Sequence, residues 1–382
     1  MKHSYPSSFP NSTQLLFLKT VLASPGEFRD HWNQWKSQTD LDTIDNATFR
    51  LLPTLYLRIR QEEGFEDEWV GRIKGVYKQG WAKNQLLLSS TSKVASFLSE
   101  NGIPSILLKG VSLLLGSYKD VGGRMMGDVD MLIPSINTRE ACELMLANGW
   151  KCRWQPEVEK FSEKDILFFT RVSHEVSFIN TNKQVVDLHF VSPFKHVFDP
   201  KLVSLFWETA LPVQLRDVSC KILSPELTFL HVCYHGSVFN TFPSYRWVID
   251  GIKTIESVPE FDWKKLIMHS ERLGFKFQLS KSVLYLNEHF DFLIPSLILK
   301  ELTDYQPTPK ERSRYRKTTE NSRFRFVKLP ILWGEYCHSD PLRSPILKPY
   351  YFLNFLRESF RFDTNREVFQ HYFKRFAARL IR

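Results

Sequence analysis

The sequence predicts an α+β fold in which a small mixed β-sheet is flanked by N-terminal and C-terminal helical regions. Three observations support this prediction. Apolar residues recur at helical spacing through residues 12–100. Short apolar runs then alternate with helical segments through residues 103–191, as expected for a sheet with flanking helices. Helical spacing returns from Pro225 onward.

The N-terminal region is predicted to contain several amphipathic helices. Residues 13–22 carry apolar side chains at helical spacing, and residues 47–59 do so again with a break at Pro53. Residues 68–101 predict one or two long helices, because their apolar positions form a single stripe. The pair Asn101-Gly102 is a typical helix stop.

The central segment is predicted to alternate strands and helices. Apolar runs and alternation predict strands at residues 103–108, 129–133, 168–172, 175–179 and 185–191. Helices are predicted at residues 111–118 and 138–148. We expect residues 184–190 to pair beside residues 128–133 in the sheet.

The C-terminal part is predicted to contain several helices, followed by a basic region. Helices are predicted at residues 225–234, 245–257, 263–273 and 276–289, and a basic amphipathic helix at residues 366–382. Residues 306–325 are polar and charged, which predicts a linker or mobile loop. The predicted domain organisation is a helical region (1–101), the α/β core (102–224), a helical substrate-framing region (225–305) and a basic C-terminal region (306–382).

Composition narrows the class of protein. The 382 residues suffice for two or three domains or one large core, and 31 phenylalanines argue against disorder. The five cysteines are scattered without a C-x-x-C pair, which excludes a disulfide framework and a thiolate zinc site and suits a reducing cytosol. Because the polar N-terminus lacks an apolar signal region and no run of about 18 apolar residues exists, we expect a cytoplasmic protein.

Most of the excess positive charge lies near the C-terminus. Residues 301–382 contain 17 Lys+Arg and 9 Asp+Glu, a net charge of +8 out of +9 for the whole chain. Alternatives for this region are a solvated basic tail, or docking of residues 342–382 to an acidic partner or to the inner face of a membrane. Nucleic acid is a weaker alternative, because no stretch combines basic and aromatic residues as a single-strand platform does.

The chemistry of the chain is concentrated between Lys109 and Asp130. Asp128 and Asp130 alternate along a predicted strand, so that both carboxylates share one face. Such a pair is compensated by Mg²⁺, which prefers carboxylate and phosphate oxygens. Lys109-Gly110 at a strand-to-helix turn and Arg124 between the two elements supply the backbone approach and the positive charge for phosphates. These residues predict a nucleoside triphosphate (NTP) site.

A wider set of residues carries a family resemblance. Together with Lys109-Gly110, Arg124 and Asp128-x-Asp130, the set comprises Val186-Asp187-Leu188-His189, His231-x-x-x-His235 and Arg246-Trp247-x-x-Asp250. Over roughly residues 103–255 the chain resembles the uncharacterised bacterial nucleotidyltransferase family of the DNA polymerase β superfamily. The resemblance implies a small mixed sheet flanked by helices, and attack of an acceptor hydroxyl on the α-phosphate of an NTP with release of pyrophosphate.

The resemblance also implies roles for particular residues. Asp128, Asp130 and Asp187 are expected to hold two Mg²⁺ ions, with Mn²⁺ as an alternative, and Asp187 is also a candidate general base. The residues expected to contact the triphosphate are Lys109, Gly110, Ser112 and Arg124. The wider superfamily usually has Ser or a second Gly directly after the turn glycine, whereas here Val111 follows and Ser112 comes one position later.

Five further residues are candidates for the substrate pocket: His189, His231, His235, Arg246 and Asp250. Each has a plainer alternative. His189 either orients Asp187, contacts substrate or hydrogen-bonds in the core. His231 and His235 lie one helical turn apart, but the glutamate of a zinc H-E-x-x-H motif is missing, so a structural or pocket-wall role is favoured. Arg246 and Asp250 have the spacing of an intrahelical ion pair.

Three hypotheses about function follow. The favoured one is a Mg²⁺-dependent nucleotidyltransferase with an unknown acceptor. The second is a catalytically silent nucleotide-binding or scaffold protein whose basic C-terminal region docks a partner or membrane. The third, template-directed nucleic-acid synthesis, has the weakest support. His174 and Glu175 are expected to be structural.

Overall fold

The computed structural model describes residues 5–6, 8–170, 175–194, 200–237, 244–290, 294–319, 333, 352–353, 356–357 and 364–370. The N-terminal helices are α1 (Ser12–Leu22), α2 (Phe28–Ser37), α3 (Asn46–Phe49), α4 (Leu52–Ile59) and α5 (Val70–Glu100). The expected break near Pro53 is confirmed, because Pro53 lies in the first turn of α4, where its missing N–H costs nothing. The predicted long helix is one continuous element of 31 residues.

A mixed sheet of seven strands follows. Its strands are β1 (Ile106–Leu108), β2 (Val129–Leu132), β3 (Lys151–Cys152), β4 (Glu175–Ile179), β5 (Val185–His189), β6 (Leu211–Leu215) and β7 (Val218–Ile222). The helices between them are α6 (Lys109–Gly116), α7 (Thr138–Ala147), α8 (Glu163–Phe168) and α9 (Pro200–Glu208). The strand order is β3-β4-β5-β2-β1-β7-β6. The α+β class is therefore confirmed.

Strand β2 lies at the centre of this sheet. It pairs antiparallel with β1 and parallel with β5, and the β5 register sets Asp130 opposite Asp187. The expected pairing of residues 184–190 beside residues 128–133 is confirmed. The side chains of β2, β5 and β4 that point away from Asp130 are apolar and almost completely buried: Val129, Met131, Val186, Leu188, Val176 and Phe178. Hydrophobic burial on that face fixes the register, and hence which polar side chains share the other face.

One predicted strand is wrong in its described part. Residues 168–170 continue from helix α8 in a helical conformation, and residues 171–172 lie outside the described residues. Ser162 and Asp165 form a reciprocal capping box that starts α8. The described part of the run that suggested a strand is therefore helical, and it contributes the buried Phe169 to the core.

The C-terminal helices are α10 (Pro225–Ser237), α11 (Trp247–Glu256), α12 (Trp263–Arg272), α13 (Lys276–His289), α14 (Ser296–Asp304) and α15 (Pro309–Thr319). The predicted linker at residues 306–325 is wrong for residues 309–319, which form α15. Thr308 and Glu311 cap its first turn reciprocally, and Pro309 occupies the first helical position. Among the described residues, no helix is long and apolar enough to cross a membrane.

Part of the predicted basic C-terminal helix can be compared with the structure. Residues 366–370 are helical, whereas residues 371–382 lie outside the described residues. Of the apolar stretch at residues 342–356, only residues 352–353 and 356 are described.

A continuous hydrophobic core joins the N-terminal helices to the helices that follow the sheet. It extends from Phe9, which packs edge-on against Trp247 and Tyr285, to Leu302 in α14. A buried hydrogen bond of 2.6 Å between the hydroxyls of Thr48 and Tyr245 ties α3 to the segment before α11. The N-terminal helices are thereby fixed beside the elements that follow the sheet.

Candidate functional site

The polar face of the sheet carries the carboxylates. Asp130 on β2 and Asp187 on β5 are neighbours in register, and Glu175 on β4 is paired in register with His189. These side chains share one face because side chains alternate along a strand. Asp128, directly before β2, is exposed, whereas Asp130 is only 2% exposed. A row of acidic groups therefore crosses three strands.

Asp130 is held by two partners. Lys109 Nζ lies 2.5 Å and His189 Nε2 2.9 Å from its Oδ1 atom. His189 Nδ1 lies 3.5 Å from Glu175 Oε2, so the imidazole bridges two carboxylates. Burial opposes the ionised form of Asp130, but the Lys109 ammonium and the His189 hydrogen bond outweigh it and lower its pKa. Asp130 is therefore ionised at neutral pH.

Asp187 has a different environment. Ser177 donates a hydrogen bond of 2.5 Å to its Oδ1 atom. Burial raises the pKa of Asp187 to about 6, opposed by that hydrogen bond and reinforced by the negative charges of Asp130, Asp128 and Glu175. Two carboxylates thus stand side by side, of which only Asp130 has a cation in contact.

A cleft of about 400 Å³ opens beside Asp128 and Asp130. Among the residues that line it are nine of the predicted site residues: Lys109, Gly110, Arg124, Asp128, Asp130, His231, His235, Arg246 and Asp250. Helices α6 and α10, helix α11 with its N-cap, strand β2 and the segment before it contribute these side chains. The structure thus brings together residues up to 141 positions apart in the sequence.

The turn at Lys109-Gly110 forms one wall of the cleft. Lys109 has a φ of +47°, in the left-handed region that side chains other than glycine rarely adopt. A Cβ atom on Gly110 would lie 3.1 Å from both Arg124 Nη1 and the Met126 side chain, so glycine allows a close approach here. Burial opposes the charge of Lys109, but Asp130 outweighs it and raises the pKa of the ammonium.

Arg124 forms a buried, two-pronged ion pair with Asp250. Its Nε and Nη2 atoms donate hydrogen bonds of 2.8 and 2.9 Å to the two carboxylate oxygens. Tyr118 donates a third bond of 2.8 Å to Asp250. Burial opposes both charges, yet each partner favours the other, so the pKa of Arg124 is raised and that of Asp250 is lowered. The ion pair of Asp250 is therefore made with Arg124 and not with Arg246.

The two helix α10 histidines line the cleft with their rings 5.3 Å apart. His231 is 3% exposed, and its Nε2 atom has no hydrogen-bond partner among the described residues. Burial, followed by the neighbouring His235, lowers the pKa of His231 well below its usual value, which keeps the imidazole neutral. His231 can therefore offer a substrate one neutral ring nitrogen.

Three predicted residues are not among those that line the cleft. Ser112 is buried within α6, and its hydroxyl has no hydrogen-bond partner in the part of the chain that the structure describes. Asp187 and His189 lie on the sheet, on the far side of Asp130 from β1. Within the described ranges, no three His, Cys, Asp or Glu side chains are grouped closely enough to hold one metal ion. His174 lies outside the described residues.

Sequence reasoning missed Arg50, which also lines the cleft. This residue follows α3 in the N-terminal helical region, 59 positions before Lys109. It belongs to no motif and no apolar stripe. Its place in the cleft depends on the contact between α3 and the segment before α11, which only the folded chain shows.

The chain can be compared with known proteins. The family model described as uncharacterised nucleotidyltransferase matches residues 47–291, well over half of the chain. Among solved structures, an antigenic nucleotidyltransferase-like protein from Paracoccidioides brasiliensis is similar over 53% of this chain and 91% of its own, at 15% identity and a TM-score of 0.33. That TM-score is too low to support any argument about function. No curated protein matches the sequence.

Proposed function

The chain belongs to the uncharacterised nucleotidyltransferase family, and on that premise we propose that it transfers a nucleoside monophosphate from an NTP to a hydroxyl-type acceptor. The observation that carries this proposal is the cleft itself, where Asp128 and Asp130 face the Lys109-Gly110 turn and Arg124. Carboxylates for metal ions and a cationic turn for phosphates are the two halves of a phosphoryl-transfer site.

The proposed reaction is an in-line displacement at phosphorus. The acceptor oxygen forms a bond to the α-phosphorus, and the bond from that phosphorus to the oxygen bridging the α- and β-phosphates breaks. Pyrophosphate leaves with the electron pair, and the acceptor's proton passes to a base. Asp187 suits the base, since burial and neighbouring carboxylates raise its pKa to about 6, close to neutral pH.

Helix α6 supplies the proposed phosphate contacts. Its first residues are Lys109 and Gly110, so the free N–H groups of its first turn lie beside the cleft. Gly110 has no Cβ atom of its own, which lets the Arg124 guanidinium approach the backbone of this turn. Lys109 and the Nη1 side of Arg124 place positive charge at the same point.

The carboxylates suit Mg²⁺ by their chemistry. All three proposed ligands, Asp128, Asp130 and Asp187, offer the hard oxygen atoms that this ion prefers. The contacts of Asp130 with Lys109 and His189 both fall on Oδ1. Burial, and then the negative charges of its neighbours, raise the pKa of Asp187, so a cation beside it would favour its ionised form. Bound Mg²⁺ would neutralise phosphate charge and acidify the acceptor hydroxyl. His189 would keep Asp130 oriented from behind through its contact with Glu175.

Calorimetry with each of the four NTPs, with and without Mg²⁺, tests this proposal. We expect Mg²⁺-dependent binding of at least one NTP to the wild-type protein, and loss of that binding in Asp128→Asn/Asp130→Asn. Asp42→Asn is the matched control, because Asp42 is an exposed carboxylate on a surface ion pair with Arg72.

An acceptor screen that monitors pyrophosphate release follows on the same proteins. Release that requires Asp187 supports transfer. Folded wild-type protein that binds no NTP with any tested metal contradicts the proposal, and NTP binding without turnover on any acceptor favours a nucleotide-binding scaffold.

A further inference from the structure

Two arginines in the cleft have no role in the catalytic scheme above. Arg50 reaches it from the end of α3, and Arg246 from the N-terminal end of α11. Both stand near Arg124, whose charge contributes to the electrostatics of each. The three guanidinium groups thus come from three separate parts of the chain.

The position of Arg50 is fixed by its local structure. Asp45 caps α3 by accepting hydrogen bonds from the backbone N–H groups of Ala47 and Thr48. Thr48 donates its own hydroxyl proton to Asp45, at 2.7 Å, and so accepts the 2.6 Å bond from Tyr245. This chain of bonds holds α3 against the residue directly before Arg246.

The three guanidinium groups are unequally neutralised. Arg124 donates hydrogen bonds to both carboxylate oxygens of Asp250, which neutralises its charge. Arg246 donates to two neutral acceptors, the Met125 carbonyl oxygen at 3.0 Å and the Ser244 hydroxyl at 3.3 Å. The half-buried Arg50 guanidinium has no hydrogen-bond or ion-pair partner in the described part of the chain. The charge of Asp128, which also lines the cleft, acts on both Arg50 and Arg124. Three guanidinium groups therefore face two carboxylates, Asp128 and Asp250, so this end of the cleft keeps an excess of positive charge.

The excess has a physical consequence. Burial lowers the pKa of Arg246, and the charges of Arg124 and Arg50 lower it further. Burial and the charge of Arg124 likewise lower the pKa of Arg50. Arginine nevertheless keeps its proton at neutral pH. Asp250 opposes this lowering at both arginines and Asp128 opposes it at Arg50, but the cations outnumber the carboxylates. A half-buried cleft with more cations than carboxylates favours the binding of an anion there.

We propose that Arg50 and Arg246 form an anion subsite of the cleft that binds a phosphate group of a substrate. The planar donor forks of two guanidinium groups match phosphate oxygens better than any neutral group does. The inference rests on the proposed function for the identity of the substrate, but the subsite itself is a property of the two arginines. The phosphate comes either from the β,γ end of the NTP or from a phosphate carried by the acceptor.

Binding of inorganic phosphate and pyrophosphate, measured by calorimetry, tests the subsite without requiring turnover. We expect Arg50→Gln to weaken pyrophosphate binding roughly 10- to 100-fold, the loss typical of a charged hydrogen-bonding partner. Arg50→Lys is expected to restore part of the affinity. Arg60→Gln is the matched control, since Arg60 is largely exposed outside the cleft. Unchanged thermal unfolding of Arg50→Gln verifies its fold.

The two sources of phosphate are separated by saturating the protein with a non-hydrolysable NTP analogue. Loss of phosphate binding then assigns the subsite to the NTP, and continued Arg50-dependent binding assigns it to the acceptor. The subsite is refuted if wild-type protein binds neither anion, or if Arg50→Gln binds both as tightly as wild type. Arg50-dependent pyrophosphate binding without NTP binding would instead refute the proposed function and leave the subsite standing.

Discussion

At the scale of single residues, Asp130 and Asp187 are neighbours with opposite electrostatic situations. The Lys109 ammonium and the His189 imidazole contact one oxygen of Asp130, whereas the partner of Asp187 among the described residues is the Ser177 hydroxyl. Ionising both at once therefore costs free energy mainly at Asp187. The ionised form of Asp187, which we propose as a base and metal ligand, is therefore a source of instability when no cation is bound beside it.

This cost has a defined pH dependence. As pH rises above about 4, the unfolded chain loses the Asp187 proton first, because the folded-state pKa is about 6. The free energy of unfolding therefore falls as the pH rises from about 4 to about 6, and it remains lower at higher pH. We expect Asp187→Asn to raise the free energy of unfolding by about 1–2 kcal/mol at pH 8 without divalent metal, and to leave it unchanged below pH 4.

Urea denaturation at both pH values measures this difference. Asparagine keeps an oxygen for the Ser177 hydrogen bond, so the comparison isolates the charge. Asp42→Asn, on the exposed surface, is expected to show no such pH-dependent gain. An Asp187→Asn protein that is less stable than wild type at pH 8 would contradict the argument.

The sequence revealed most of the charged residues of the cleft, because several of them lie close together in the chain. Lys109-Gly110, Arg124 and Asp128-x-Asp130 fall within 22 positions, and their order along the chain is informative. Arg50 carries no comparable signal, since only the packing of α3 brings it to the cleft. The ion-pair partner of Asp250 could not be predicted either. Its spacing from Arg246 suggested an ion pair within one helix, whereas in the folded chain Asp250 pairs with Arg124.

At the scale of elements, the predictions succeeded where periodicity was strong. Strand β4 and helix α13 have the predicted bounds. The β6–β7 hairpin was missed because its turn lacks the usual glycine or asparagine: Arg216 adopts a φ of +53° instead. Helix α15 was missed because it has little apolar periodicity, although its capping residues were visible in the sequence.

The crossing of α10 and α11 depends on one glycine. A Cβ atom on Gly236 would lie 2.1 Å from the Cβ atom of Trp247, which is not a flexible side-chain end. We expect Gly236→Ala to lower the free energy of unfolding by about 2–3 kcal/mol despite the better helix propensity of alanine. Gly75→Ala in α5, where nothing lies within 4 Å, should instead raise it by up to about 1 kcal/mol.

Chemical denaturation of the two variants in parallel measures both effects. A similar change for both would show that helix propensity, and not the approach of the helices, determines the result.

The Arg124–Asp250 pair joins the segment before β2 to α11. Removing one partner leaves the other buried without a counter-charge, so Arg124→Ala is expected to cost about 3–5 kcal/mol. The double variant Arg124→Met/Asp250→Leu should regain much of that loss, because neither member of the pair is then left as an uncompensated charge. Urea denaturation of the single and double variants completes the cycle, and a double variant no more stable than Arg124→Ala would contradict this account.

At the scale of the whole molecule, the hydrophobic core and the excess positive charge lie in different parts of the chain. The continuous hydrophobic core reaches from Phe9 to Leu302. Residues 1–300 have a net charge of only +1, and residues 342–382 contain 9 Lys+Arg against 3 Asp+Glu. Long-range attraction to an anionic surface is therefore expected to come from the C-terminal residues.

Co-sedimentation with vesicles rich in anionic lipid tests this expectation. We expect the full chain to pellet with the vesicles at low salt, and a chain ending at residue 341 to remain in the supernatant. High salt should release the full chain, because it screens attraction between exposed charges. Vesicles of neutral lipid serve as the control, and equal pelleting of both chains would contradict a docking role for residues 342–382.

The hydrogen bond between Thr48 and Tyr245 has a consequence for the timing of biosynthesis. Its partners are 197 residues apart, and a ribosome adding 5–20 residues per second needs roughly 10–40 s to make that stretch. Late in this interval a nascent chain already contains Arg50, Lys109 and Asp130 without Arg246 and Asp250, which line the same cleft. The cleft is therefore completed only after more than half of the chain has been translated.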